Sequence, residues 1–148
     1  MLQQLWRMRC KKCFRPISLP RRNPEETPED QRDQPTGTWS LTIVHRHCGQ
    51  RFDYTAQDVQ LDRVEVPDQG KPIDALWHGL FQCAHEHYGQ NCGRLIDVHA
   101  SAEYFLEPHE MTAVFLNTKP PLTCSEAHQL SQQARILDLA PVKRLAEW

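Results

Sequence analysis

The positions of six cysteines constrain this chain more than any other feature of its sequence. Cys10-Lys-Lys-Cys13 is a C-x2-C pair, and His45-Arg-His-Cys48-Gly49 is an H-x2-C-G pair. A gap of two residues is poor for a disulfide and suited to chelation of a metal. Where the backbone turns tightly around an ion, two ligands three positions apart point inward. A glycine after the second ligand permits the left-handed dihedrals of that turn. Cys48-Gly49 fits this geometry, with His45 in the place of a first cysteine. His47 is the competing ligand, although its offset from Cys48 is wrong for such a turn. The expected site is Cys10, Cys13, His45 and Cys48, three thiolates and one imidazole around a tetrahedral zinc ion.

The second half repeats the plan. Cys83 and Cys92 are followed by Cys124 and His128. Cys13 to His45 spans 32 positions, and so does Cys92 to Cys124. The Cys83–Cys92 gap is too wide for a simple turn, but a loop over 84–91 inserted into the turn would restore it, and Cys92-Gly93 repeats the Cys-Gly step. Cys124 and His128 lie on one side of the backbone if the segment is helical. The expected second site is Cys83, Cys92, Cys124 and His128, with His78, His85 and His87 as alternative ligands. All six cysteines are then used, and two structural zinc ions are expected.

Composition makes those ions necessary. Hydrophobic residues are 39% of the 148, against about 45–50% for an ordinary globular domain. A half-chain with so thin a core is marginal without a clip. Closed zinc sites contribute on the order of 10–16 kcal/mol of apparent binding free energy to folding. There is no run of about 18 apolar residues to cross a membrane, and no phosphate loop or dinucleotide fingerprint. The N-terminal stretch has no apolar segment of the secretory kind, so a reduced, cytoplasmic setting is expected.

The pattern of elements is mostly β, a small α+β chain. Residues 39–45, 51–54, 59–66, 75–83, 94–99 and 111–116 read as strands, with a capped turn at 55–58. Ala127, Leu130, Ala134 and Leu137 recur at helical spacing, which predicts a short C-terminal helix ending before Pro141. Residues 21–37 hold three prolines and no large apolar side chain, so a mobile loop is expected there. A turn cluster near residue 68 divides the chain into an N-terminal unit, 1–68, and a C-terminal unit with the helix and tail, 69–148.

CKKCFRPISL followed by HRHCGQRFDYTAQDV resembles the zinc-ribbon group, most of all small bacterial tandem zinc-ribbon proteins. FQCAHEHYGQNCGRLIDVHA with LTCSEAHQL is similar to a degenerate second ribbon. The resemblance implies two tandem ribbon-like β units and zinc binding. It implies no particular activity, because ribbons serve in many assemblies.

Closed four-ligand sites leave no position for substrate, which points to a non-enzymatic adaptor that binds a macromolecule and no small-molecule substrate. Trp39, Phe52, Tyr54, Trp77, Phe81, Tyr104 and Phe105 are expected in the core, and Trp6 and Trp148 at a partner interface. A second reading is nucleic-acid binding. The first 22 residues carry seven basic groups and no acid, among them Arg7, Arg9, Lys11, Lys12 and Arg15 around the first Cys pair. Against it, the rest of the chain carries 10 basic and 19 acidic groups. A third reading is a zinc hydrolase on His78, His85 and His87, with Glu103, Glu107 or Glu110 as base.

Overall fold

The alternating, β-branched segments do form strands. In a computed structural model, which describes residues 2–18, 40–65, 74–103 and 105–142, the order begins with β1 (Leu2–Arg9), β2 (Pro16–Ser18), β3 (Ser40–His45) and β4 (Gln50–Thr55). A 3-10 turn (Ala56–Asp58), β5 (Gln60–Glu65), β6 (Asp74–Gln82), β7 (Glu86–His87), β8 (Gln90–Asn91) and β9 (Leu95–Glu103) follow. The described chain ends with α1 (Pro108–Leu116) and β10 (Arg135–Pro141). The capped turn stands where expected: the Asp58 carboxylate accepts from the Thr55 backbone N–H at 2.7 Å.

Three strands form a small sheet in the order β2-β1-β5. Five form a larger one, β10-β6-β9-β3-β4. All its neighbours are antiparallel except β3 and β9, which run parallel through Ile43↔His99, Val44↔Ala100 and His45↔Ser101. The larger sheet therefore takes strands from both sides of residue 68. That junction, the 21–37 segment, Trp39, Tyr104 and Trp148 lie outside the described residues.

Alternation along β3 and β6 splits the core in two. Leu41, Ile43 and Leu76 pack with Met8, Ile17, Tyr54 and Val59 on the face toward the small sheet. Val44, Trp77 and Phe81 pack with Val98, Ala100, Met111 and Phe115 on the face toward α1. Tyr54, Trp77 and Phe81 are core residues as expected, Phe52 is half-buried, and Phe105 is exposed instead.

Two elements exchange type relative to the sequence pattern. The run at 111–116 is helical, not a strand. Pro108 starts the helix where its missing N–H costs nothing, and Met111 and Phe115, four apart, are both fully buried. The expected C-terminal helix is absent. Ala127 has φ +64°, which breaks any helix through it, and residues 135–141 extend as β10.

Candidate metal centres

Tight turns at strand ends position the ligands, and three of them share one design. The residue after the second ligand has positive φ: Phe14 (+62°), Gly49 (+68°) and Gly93 (+65°). Its N–H donates to the carbonyl of the first ligand: Phe14 to Cys10 at 2.9 Å, Gly49 to His45 at 2.8 Å, Gly93 to Cys83 at 3.1 Å. The first turn joins β1 to β2, the second β3 to β4, the third β6 to β9. The third closes although Cys83 and Cys92 are nine apart, because 84–91 leaves the turn as the β7–β8 hairpin. Gly49 and Gly93 take this conformation without strain, whereas Phe14 takes it at a steric cost. The fourth turn differs. The Cys124 N–H donates to the His128 carbonyl at 2.9 Å, and Ala127 N–H to the Cys124 carbonyl at 2.9 Å. Cys124 and His128 converge through this turn and not on a helix face.

The ligand atoms of Cys10, Cys13, His45 and Cys48 all lie within 4.8 Å of one another, as do those of Cys83, Cys92, Cys124 and His128. For a tetrahedral ion held at about 2.3 Å by sulfur and about 2.1 Å by nitrogen, sulfurs stand about 3.8 Å apart and sulfur and nitrogen about 3.6 Å. In the first cluster, Cys10 Sγ–Cys48 Sγ is 3.6 Å, Cys13 Sγ–His45 Nδ1 3.2 Å and Cys48 Sγ–His45 Nδ1 3.8 Å. In the second, Cys92 Sγ–Cys124 Sγ is 3.9 Å, Cys83 Sγ–His128 Nδ1 3.8 Å and Cys124 Sγ–His128 Nδ1 3.5 Å. A disulfide would need about 2.05 Å, and all six cysteines are free. The residues fit two tetrahedral metal ions.

Electrostatics agree. Burial, then electrostatic repulsion from His47 and Arg15, hold the His45 imidazole below its ordinary pKa, which favours the neutral form that ligates. Burial acts to raise Cys10, but hydrogen bonds from the backbone of Cys13 and Lys12 and from the Cys13 and Cys48 thiols outweigh it, and its net shift is downward. Cys48 is pushed up to about 11, first by burial and then by its neighbour Cys10. The second cluster divides likewise, with Cys124 lowered by hydrogen bonds that outweigh burial, and Cys83 raised, chiefly by burial. In each cluster two thiols are thus shifted in opposite directions, because the negative charge of one disfavours ionisation of the other. A divalent cation removes that conflict, so metal binding and thiol ionisation are coupled.

The other expected site residues fall elsewhere. His47 Nδ1 lies 3.2 Å from an Arg15 nitrogen, outside the first cluster. His85 stacks on His128, ring centroids 3.9 Å apart, and lines a polar cavity of about 540 Å³ with Glu86, Asn91 and Gln129. His87 packs against Tyr88, and His78 sits between Asp97 and Asp138. Among the described residues, His78, His85 and His87 form no common ligand group. Of the basic residues, Arg7 is buried and Arg9 donates to the Phe14 carbonyl at 3.0 Å. Lys11 Nζ donates to the Asp53 carbonyl at 2.7 Å, with Asp58 at 3.6 Å and the Tyr54 ring below it. Lys12 is exposed. The His78–Asp97–Asp138 bridge escaped the sequence pattern, because it depends on the β6–β9 and β6–β10 registers.

Neither a protein-family model, a curated protein nor a solved structure matches this chain.

Proposed function

We propose that both clusters hold zinc and that the chain is a non-enzymatic, zinc-stabilised interaction protein that binds a macromolecular partner. One observation carries this reading: each cluster supplies four protein ligand atoms at tetrahedral spacing. Four such ligands complete the coordination of a structural zinc, whereas a catalytic zinc keeps one position for water. Three thiolates with one imidazole also suit zinc better than the oxygen-seeking hard cations. A protein partner fits better than a nucleic acid. Among the described basic residues around the first Cys pair, Arg7 is buried, Arg9 and Lys11 donate to carbonyls within the chain and Arg15 lies against His47, so their donors are directed inward more than toward a phosphate.

Elemental mass spectrometry on untagged protein purified under reducing conditions tests the reading. Two zinc ions per chain are expected, unchanged in the double variant His85→Ala/His87→Ala. One zinc in the wild type, or a zinc lost with those two histidines, would overturn the assignment of the second site.

A further inference from the structure

The two edges of the larger sheet differ. Alongside β4, the Arg51 N–H donates to the Lys119 carbonyl at 3.1 Å, and the Lys119 N–H to that of Gly49 at 2.8 Å. The Arg51 guanidinium also donates to the carbonyls of Pro120 and Pro121. The start of that edge is thereby covered by the chain's own backbone. At the opposite edge stands β10, and among the described residues no strand pairs with its outer side. Arg135, Ile136, Leu137 and Asp138 are all exposed there, Ile136 by 46% and Leu137 by 42%. Open backbone donors and acceptors beside exposed aliphatic side chains form a template for another strand.

The register of β10 indicates which strand. Arg135 pairs with Gln82, Ile136 with Phe81 and Asp138 with Leu80, so a bulge places Leu137 as an extra residue. In a regular strand, residues three apart point to opposite faces. The bulge puts Arg135 and Asp138 on the same face, since their partners Gln82 and Leu80 are two apart on β6. A two-fold axis perpendicular to the sheet preserves faces. It would set Arg135 opposite Asp138 of a second copy, and Asp138 opposite Arg135, with the Ile136–Leu137 pairs meeting at the axis. Both ends are then charge-complementary and the centre is apolar. Pro141 has no N–H to donate, which limits the ribbon beyond it.

We propose that β10 is a self-pairing edge, which joins two copies of this chain antiparallel into one continuous sheet. The contact is short and lies at the low end of interface sizes, so the dimer dissociates on dilution.

Sedimentation velocity on the metal-loaded full chain, over a concentration series, tests this. The wild type is expected to move from monomer to dimer as concentration rises. R135D and D138R each place like charges opposite one another twice, which raises the dissociation constant about tenfold or more. An equimolar mixture of the two variants again faces opposite charges at both ends and recovers the dimer. Because Asp138 also contacts His78, its variant is checked by metal content. If it fails to fold, Arg135→Asp and Leu137→Lys decide, with dissociation of both expected. A wild type that stays monomeric overturns the proposal and makes the bulge a guard against pairing. So does a dimer indifferent to Arg135→Asp, or a mixture that does not recover.

Discussion

His78 and His99 are directly opposite each other on β6 and β9, with ring centroids 5.0 Å apart. Their surroundings push them in opposite directions. Burial alone would lower His78, but Asp138 and Asp97 each sit 2.7 Å from one of its ring nitrogens, and their hydrogen bonds and charges raise it overall. His99 has no such partner. Its Nε2 is buried without a hydrogen bond, and burial, aided by the positive charge of His78 and only partly opposed by Asp97, pushes it down to about 4. The two signs separate. The His78 contribution is fully present below the unfolded pKa and fades as pH rises through its raised folded value. The His99 contribution runs the other way. The unfolded chain takes up a proton near 6.5 and the folded chain does not until about 4, so stability falls as pH drops across that window. By linkage, His99 makes the wild type about 1 kcal/mol less stable at pH 5.5 than at pH 7.5. Urea unfolding of the wild type and of His99→Phe at both pH values isolates this term, because acid effects on the clusters are common to both. A variant with the same acid loss as the wild type would place the titration elsewhere.

At the scale of elements, α1 depends on one missing side chain. Gly79, on the middle of β6, sits beneath the edge-to-face pair Phe81 and Phe115, whose centroids are 5.3 Å apart. A Cβ at that position would lie 2.8 Å from Phe81 and 3.0 Å from Phe115. Gly79→Val is therefore expected to lift the helix from the sheet and cost about 1–3 kcal/mol, read as a lower urea midpoint. An unchanged midpoint would show that the rings move aside freely. This helix also marks the limit of what the sequence makes legible. The ligand turns could be read because their chemistry is local: a C-x2-C gap and a Cys-Gly step specify a turn and an inward side chain within five residues. Residues 111–116 read as a strand because a short apolar run has no period of its own. The signals for a helix were Pro108 and the Met111–Phe115 spacing, and only packing on Gly79 gives them weight. Ala127, Leu130, Ala134 and Leu137 had helical spacing, but closing the Cys124–His128 turn requires Ala127 at φ +64°. The convergence of the Cys and His side chains overrides the local pattern there.

Across the whole molecule, the consequence is a link between the two clusters. Each has its own core: Cys10 packs among Met8, Ile17 and Tyr54, while Cys83 and Cys124 pack among Phe81, Val98 and Phe115. The cores lie on opposite faces of one sheet, whose halves join at the β3–β9 seam, a parallel pairing that no local pattern announces because its partners lie more than 50 residues apart. His45, a ligand of the first cluster, is the last residue of that seam, paired with Ser101. Just beyond it the Arg46 N–H donates to the Ser101 carbonyl at 3.0 Å, and the Arg46 guanidinium reaches Glu103 at 2.6 Å. An ion bound at His45 would anchor the end of β3 against β9, the strand that carries Val98 and Ala100 into the second core. Removing the first ion frees His45 and loosens the seam without touching a second-site ligand. Cys13→Ser is expected to keep one metal ion per chain and to lower amide hydrogen-exchange protection at His99 and Ser101, the β9 residues whose backbone groups face β3, measured against the wild type in the same buffer. Independent ribbons would leave β9 protection unchanged, because the second cluster would hold its own core alone. Loss of protection there would make the shared sheet, rather than either ion, the unit that folds.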